Sequence, residues 1–460
     1  MTALDVKILA ARTVGELVRR AGRGGGTSLP GRLLTALQPD AIAQLAARLP
    51  RGSAVISATN GKTTTAAMAA SVLERAGIPL VHNRAGANMA GGVASTLLGA
   101  AGRGGSIDGQ LGLFELDEFW LDRVVEQLRP RALLLGNLFR DQLDRYGELD
   151  TIADRWAAAV AAADPELQLA CNADDPLVAD LGRDRTGVTY FGVQDPSLAI
   201  AARQHASDSK HCRRCGAAYA YETVYFGHLG VYRCPSCGRR RPTPDVTARA
   251  IQLDGTRAAR FELHTPGGVT AVSLPVPGLY NVYNALGAAT LCLSLGATLD
   301  QIASGLGAVS AAFGRAERLS IDGRELTILL IKNPAGANEI LRTLTLEPGE
   351  LQLLAVLNDH AADGRDVSWV WDSDFELLAG RVARVTCAGT RCAELAMRLK
   401  YAGVDEQRLS VVADIGAALD QAIAAAPQRL FALPTYTALL ALRQELGRRG
   451  HVGAFWEAGA

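Results

Sequence analysis

Long hydrophobic runs are missing from this 460-residue chain. No apolar stretch approaches the roughly 18 residues of a membrane-spanning helix. No secretory signal is visible at its start, which predicts a cytoplasmic protein. Net charge is missing too: 47 basic residues balance 47 acidic ones. That balance excludes a general nucleic-acid binder, whose domain would carry an electrostatic excess. Apolar residues make up 48% of the chain, enough for sizeable cores. At roughly 150 residues per domain, two or three domains are expected.

The eight cysteines are not spread as disulfide partners. Cys212-x-x-Cys215 and Cys234-x-x-Cys237 stand 18 residues apart, in the contexts Cys-Arg-Arg-Cys-Gly and Cys-Pro-Ser-Cys-Gly. Glycine after each pair permits the turn that aims both sulfurs at one metal. Four thiolates close a tetrahedral shell, so the spacing predicts structural Zn²⁺ in a ribbon. The basic residues around it, His211, Arg213, Arg214 and Arg239 to Arg241, are expected to form a solvated or partner-facing patch. Cys171, Cys292, Cys387 and Cys392 show no such pairing and are read as buried thiols.

The strongest signal lies at residues 57–65, Ser-Ala-Thr-Asn-Gly-Lys-Thr-Thr-Thr, directly after the apolar run Ala54-Val55-Ile56. A strand ending at Ile56 and a helix opening near Lys62 leave a tight turn between them. The N–H groups of such a turn surround phosphate oxygens. Lys62 reaches the terminal phosphates, and the Thr63 hydroxyl is placed to ligate Mg²⁺. Thr59, Asn60, Gly61 and Thr64 complete the predicted nucleotide loop. The general pattern wants glycine where this chain has Ile56, so a slightly altered turn is expected.

Strand and helix patterns alternate from about 45 to 200, with strands at 53–57, 111–116, 131–136 and 168–171 and helices at 62–76 and 151–163. Alternation of this kind predicts a mostly parallel sheet covered on both faces. The ribbon interrupts it at about 205–240, strands resume near 247–275 and helices near 281–313. A second α/β region follows, with strands at 326–331, 352–357, 382–387 and 408–412, ending near Leu446. Residues 4–20 read as a basic amphipathic helix, expected to pack on the next domain, with contact to an anionic membrane as the competing reading. The tail from Gly447 is expected to be loose.

Further segments follow the loop in order. Glu115, in Phe-Glu-Leu-Asp-Glu after a strand, is placed to hold metal; Asp117 and Glu118 are expected as neighbours rather than ligands. Asn137 opens Asn-Leu-Phe-Arg-Asp-Gln-Leu-Asp, and Asn172 and Asp174 lie in Asn-Ala-Asp-Asp. Asn281 and Asn284 stand one helical turn apart in Gly-Leu-Tyr-Asn-Val-Tyr-Asn-Ala. Arg315 lies in Gly-Arg-Ala-Glu and suits charge on a transferring phosphoryl group. Together these motifs, over roughly residues 50–320, resemble the Mur ligase superfamily. The resemblance implies an α/β fold: a central P-loop ATPase domain with the four-cysteine zinc ribbon inserted, and a C-terminal Rossmann-like domain. The expected boundaries are 1–44, 45–317 with the ribbon at 205–241, and 318–460. It implies ATP and Mg²⁺, with Lys62 and Glu115 catalytic, Thr63 and Glu115 on the metal, and Asn137, Asn172, Asp174, Asn281, Asn284 and Arg315 at the nucleotide. This chain departs from the family pattern at Ala58, where glycine is usual, and at Gln142 and Tyr280, where histidine is usual.

Only about 45 residues precede the central domain, where peptidoglycan-building members carry a substrate domain. The C-terminal region has Ile331-Lys332-Asn333-Pro334-Ala335-Gly336, Leu357-Asn358-Asp359 through Asp363-Gly364-Arg365-Asp366, and Leu433-Pro434-Thr435-Tyr436. These features resemble the superfamily's lipid II-amidating branch, whose members receive ammonia from a separate GatD-type glutaminase subunit in a heterodimer. The resemblance implies amidation of the D-glutamate α-carboxyl to D-isoglutamine through an acyl phosphate, in peptidoglycan biosynthesis, at the inner face of the membrane. It assigns Asp366 to the glutaminase's Cys-His-Asp triad, with Asp359 and Asp363 as alternatives. No cysteine here stands in a Gly-x-Cys-x-Gly elbow, so the ammonia source is expected elsewhere. The competing readings are an amino-acid-adding ligase of the Mur or folylpolyglutamate type, and a non-catalytic zinc-ribbon interaction protein with a vestigial nucleotide site.

Overall fold

The protein is described from a computed structural model covering residues 7–8, 11–13, 28–83, 87–102, 106–141, 149–201, 204, 207–309 and 315–452, without the Arg315 side chain. A first sheet takes β1 (Ser53–Ser57), β2 (Leu80–His82), β3 (Leu111–Leu116), β4 (Ala132–Leu135), β5 (Gln168–Asn172) and β6 (Val188–Val193). A hairpin, β7 (Ala220–Phe226) and β8 (Leu229–Arg233), stands apart. The chain rejoins the sheet with β9 (Val246–Asp254), β10 (Ala258–Thr265) and β11 (Gly268–Leu274). The order is β11-β10-β9-β6-β5-β4-β1-β3-β2. Pairing is parallel from β2 through β9 and antiparallel between β9, β10 and β11.

Alternation along the buried strands explains the two covered faces. Ala54 and Ile56 enter one core with the helices Lys62–Arg75 and Leu279–Ser294. Val55, one residue out of phase, enters the other with Leu29–Leu37, Ala90–Ala100 and Leu149–Ala162. A side-chain period of two gives each strand a role in both cores.

The second sheet is β12 (Arg315–Ile321), β13 (Arg324–Leu329), β14 (Leu351–Val356), β15 (Val382–Ala388), β16 (Leu409–Val411) and β17 (Arg429–Pro434), ordered β12-β13-β17-β14-β15-β16. It begins at Arg315, three residues before the boundary expected at 318. The chain between the two sheets, 310–314, lies outside the described residues, as does 453–460 of the tail.

The N-terminal segment is described only in part. Ile8 and Ala11 are buried in the core beneath Ala90–Ala100. The Arg12 guanidinium donates to the Leu98 carbonyl at 2.8 Å, and Lys7 donates to the Leu37 carbonyl at 2.9 Å. These residues pack on the domain. No described helix is long and apolar enough to cross a membrane.

The chain crosses from β1 to β2 and β3 on one side of the sheet and to β4 on the other. The crevice at the C-terminal ends of β1 and β4 is therefore a topological switch point, where α/β sheets gather ligands. Trp156, fully buried on the helix Leu149–Ala162, braces this end by donating from its indole to the Glu118 carbonyl at 2.9 Å. Trp156→Ala is expected to cost about 3–5 kcal/mol in chemical denaturation; an unchanged midpoint would contradict this bracing role.

Candidate functional site

The loop after β1 is held from below by the segment after β4. Asn137 accepts from the Asn60 N–H at 2.9 Å through its side-chain oxygen and donates back to the Asn60 carbonyl at 2.9 Å. Its own carbonyl accepts from the Thr59 N–H at 2.9 Å. The Thr59 hydroxyl accepts from the Phe139 N–H at 3.1 Å. Asn137 and Thr59 thus shape the loop through side-chain bonds that do not point at a ligand. Ala58, where glycine is usual, is accommodated because residue 136 opposite it is glycine: a Cβ there would lie 2.9 Å from the Ala58 methyl.

Gly61 opens the helix Lys62–Arg75 at φ +87°, with no side-chain cap. The first-turn N–H groups of a helix have no intrahelical partner and carry its positive end, an arrangement made for anions. A Cβ on Gly61 would stand 2.0 Å from Asn284 Oδ1. Glycine is required here for its dihedral and for its space.

Lys62 is buried and its Nζ donates to the Ala58 carbonyl at 2.6 Å and to Glu118 Oε2 at 2.6 Å. Burial pulls the Lys62 pKa down, but Glu118, Asp117 and Asp141 outweigh it, so the pKa is raised and the ammonium keeps its charge. Burial pushes the Glu118 carboxyl up, against the pull of Lys62. Glu118, expected only as a neighbour, is therefore the counter-ion of the loop lysine. An arriving phosphate can take over that role without leaving a buried ammonium unpaired. Its spacing from Glu115, one turn of chain beyond the strand end, was the available signal.

Glu115, the penultimate residue of β3, is almost fully buried and in register with Ile56. Asn83 clasps its backbone, accepting from the Glu115 N–H at 3.0 Å and donating to its carbonyl at 2.9 Å. Thr63 is half-buried at the helix start and Thr64 is buried. The donor types fit a hard cation: a carboxylate and a hydroxyl.

Of the other residues expected at the nucleotide, Asn172 and Asn284 border the loop, while Asp174 and Asn281 spend their polar atoms within the domain. Asp174 is fully buried, with Oδ1 on the Arg241 guanidinium at 2.6 Å and Oδ2 accepting from the Tyr283 hydroxyl at 2.6 Å and the Val193 N–H at 3.0 Å. Its oxygens are taken up within the domain interior. Asn172 forms an Asx turn, accepting from the Asp174 N–H at 3.0 Å, and it borders a small cavity with Asn60, Asn137, Tyr283 and Asn284. Asn281 donates to the Pro277 carbonyl at 2.7 Å and accepts from Asn284 at 3.0 Å. Asn284 alone of this pair borders the loop. Gln142 and the Arg315 side chain lie outside the described residues.

The second domain reaches the same loop. Asn333 caps the helix Pro334–Thr345 by accepting from the Gly336 N–H at 2.9 Å, and its amide donates to Asn60 Oδ1 at 3.0 Å. Lys332 pairs with Asp141 and reaches the Thr59 carbonyl at 3.4 Å. Between the domains opens a cleft bordered by Gly61, Phe226, Tyr280, Asn284, Lys332 and Glu339 among others.

The cysteine hairpin carries the expected cluster. Cys212, Cys215, Cys234 and Cys237 bring their sulfurs within 4.8 Å of one another. The separations of 3.6 Å for Cys212 and Cys237 and 3.4 Å for Cys215 and Cys234 are near the edge of a tetrahedron of thiolates about 2.3 Å from zinc. Gly216 and Gly238, both at φ +73°, turn each knuckle. The donor set fits Zn²⁺ with no position left for water. The basic patch is partly a correction: Arg241 is not solvated but paired with buried Asp174, and Arg239 pairs with Asp180 at 2.9 Å. At the far turn of the hairpin, buried His228 packs against Phe139 with ring centroids 4.5 Å apart and the rings tilted by 44°, and Phe226 borders the cleft.

Among the three loop carboxylates of the second domain, Asp363 is buried and accepts from the Thr437 N–H at 2.8 Å. Asp359 pairs with Arg391 at 2.9 Å. Asp366 is exposed and accepts from the Ser368 N–H at 2.8 Å. Hydrogen bonds from the Ser368 backbone and side chain hold its pKa below the usual carboxylate value.

A family model described as MurT ligase C-terminal matches residues 330–439, and one described as Mur ligase middle domain matches residues 56–232. The chain is 31% identical over 444 residues to the lipid II isoglutaminyl synthase (glutamine-hydrolyzing) subunit MurT of Streptococcus pneumoniae, covering 96% of each chain. It is 31% identical over 437 residues to the subunit of that name from Staphylococcus aureus strain N315, covering 94% of this chain and 96% of the relative. In fold it is similar to a pseudomurein peptide ligase type C from Methanothermus fervidus, with a TM-score of 0.66 at 22% identity over 88% of this chain and 80% of that one. It is also similar to a MurF ligase from Thermotoga maritima solved in complex with ADP, with a TM-score of 0.63 at 13% identity over 90% of this chain and 85% of that one.

Two outcomes test the site. Gly61→Ala should weaken ATP binding about a hundredfold in calorimetry while circular dichroism stays unchanged; undiminished affinity would contradict the loop assignment. The purified protein should hold about one zinc per chain by elemental analysis, and Cys234→Ser should lose it. Full zinc content in that variant would place the metal elsewhere.

Proposed function

The chain belongs to the MurT family of Mur-type ligases, and on that premise we propose that it is the ATP-dependent ligase subunit that amidates the D-glutamate α-carboxyl of the lipid II stem peptide. The single observation that carries the reading is the agreement with MurT subunits across nearly the whole length of both chains. The geometry supports it with a phosphate loop shared between two domains and open to a cleft.

In this reading the substrate carboxylate attacks the γ-phosphorus of ATP, and ADP leaves. Ammonia then attacks the carbonyl carbon of the acyl phosphate, and inorganic phosphate leaves as the amide forms. Gly61, Lys62, Thr63 and Thr64 hold the phosphates, with Lys62 exchanging Glu118 for phosphate oxygen. Thr63 and Glu115 would hold Mg²⁺, which supplies charge neutralisation at the phosphates. Lys332, fixed against the loop by Asp141, adds positive charge from the second domain. Asn137 and Thr59 orient the loop; Asn284 lies beside it. The zinc ribbon is a closed structural module that props the cleft wall through Phe226 and His228. The proposed division of the chain is a central ATP-binding domain carrying the ribbon, and a C-terminal domain from about 315 that meets the glutaminase.

The ammonia comes from a separate GatD-type glutaminase. Asp366 suits the third position of its triad because it alone of the three loop carboxylates faces outward without an ion pair among the described residues. It would orient the catalytic histidine and stabilise its imidazolium. In this reading the enzyme works in the cytoplasm, meeting lipid II at the inner membrane face through the substrate. Of the N-terminal segment, Ile8 and Ala11 are buried in the domain and so are not presented to a membrane.

Asp366→Ala separates the two half-reactions. With glutamine and the glutaminase subunit, amidation of lipid II read by mass spectrometry should fall by about 10³-fold or more. With ammonium chloride as nitrogen source it should match the wild type. Full glutamine-dependent activity would remove Asp366 from the triad, and loss with both nitrogen sources would place it in the ligase site instead.

A further inference from the structure

The interdomain cleft contains a carboxyl that the reading above leaves without work. Glu339 lies on the helix Pro334–Thr345, only 2% exposed, and borders the cleft. Its Oε1 is buried with no hydrogen-bond partner among the described residues. Such a group is costly to leave unsatisfied in the interior. Arg342, one turn along the same helix, stands 3.8 Å from Oε1. That guanidinium is committed, donating to the Tyr225 carbonyl at 2.6 Å and the Leu198 carbonyl at 2.8 Å.

We propose that Glu339 reads the edge of the adenine ring, one carboxyl oxygen donating to N1 and the other accepting from the 6-amino group. The proposal rests on the nucleotide reading of the Gly61–Thr64 loop. With the phosphates on that loop, the base enters the adjoining cleft, which Gly61 and Thr64 border at one end. Phe226 and Tyr280 line the same cleft and offer aromatic faces to a planar ring. Ala335, Gly336 and Ile340 add apolar surface.

The titratable groups bordering the cleft are Tyr280, Lys332 and Glu339; Lys332 is paired with Asp141, and Arg342 backs Glu339 from its own helix. Burial pushes the Glu339 carboxyl up to about 7, against the pull of Arg342. A neutral acid offers one donor and one acceptor side by side, which matches N1 and the amino group of adenine. Ionised, the carboxyl would present two acceptors instead, which mismatch adenine N1 and suit the N1–H and 2-amino donors of guanine. A ribose hydroxyl, by contrast, is served by an ionised, solvated carboxylate, and Glu339 is neither solvated nor readily ionised.

The sign of the pH dependence follows. The protonated form binds adenine, so affinity is full below about pH 7 and falls as pH rises through the carboxyl's pKa. Glutamine keeps one donor and one acceptor at every pH. The test measures Kd for ADP, GDP and 2′-deoxy-ADP with Mg²⁺ on the full chain, for wild type, Glu339→Gln and Glu339→Ala, from about pH 6.5 to about pH 8.5. Melting temperatures control for folding. The wild type should lose about tenfold in ADP affinity across that range, with its ADP-to-GDP preference falling alongside, relative to a flat Glu339→Gln. Glu339→Ala should lose about tenfold in ADP affinity at the low-pH end and show no pH dependence. Unchanged preference and pH profile in Glu339→Ala would overturn the proposal. So would a loss on 2′-deoxy-ADP that matches and replaces the loss in Glu339→Ala, because the contact would then be to ribose. If the folded wild type binds none of the nucleotides, the loop reading itself falls, and this proposal with it.

Discussion

One side chain grips one residue at both ends: Asn137 holds the N–H and the carbonyl of Asn60. Everything at the site depends on that clamp. It fixes a turn whose next residue, Gly61, adopts a left-handed dihedral and directs the first-turn amides of the following helix outward. It also lets the Asn60 side chain serve a second purpose, accepting from Asn333 of the other domain. The phosphate loop is thus one of the places where the two domains meet, alongside bonds such as those of Arg342 to Tyr225 and Leu198.

Charge is arranged around this clamp with little slack. Lys62 is buried, and a buried ammonium without a partner would cost several kcal/mol. Glu118 supplies that partner at the site, and Lys332 and Asp141 form a second pair across the domain junction. A phosphate chain entering the loop meets two cations already neutralised by carboxylates that can be displaced. The exchange of one anion for another keeps the interior balanced at every stage, which a loop with a bare lysine could not do.

The architecture was largely legible in the sequence. Period-two apolar strands and the residues around Gly61 sufficed for the nucleotide loop, and the spacing of Cys212, Cys215, Cys234 and Cys237 for the sulfur cluster. The strands at 53–57 and 111–116 lie where the pattern put them because buried parallel strands read as short apolar runs. What stayed hidden was the direction in which polar side chains point. Asp174 reads as a nucleotide contact and Arg241 as part of a solvated or partner-facing patch in a string of letters, yet they neutralise each other inside the domain. Asn172 and Asn281 bond to their own neighbourhood, a local choice that asparagine makes easily and that motif spacing does not reveal. Glu118 differs from Asp117 only by one position and one methylene, which decided which of them reaches Lys62. Glu339 carried no motif at all; its role follows from burial in a cleft that exists only once both domains are assembled.

The most direct test of this account is a crystal structure of the full chain with a non-hydrolysable ATP analogue and Mg²⁺. The account predicts phosphates seated on the amides of residues 60–64, Lys62 moved from Glu118 to a phosphate oxygen, and the base in the cleft between Tyr280 and the helix that carries Glu339. A nucleotide bound away from the loop, or one seated there with the Lys62–Glu118 pair intact, would contradict it.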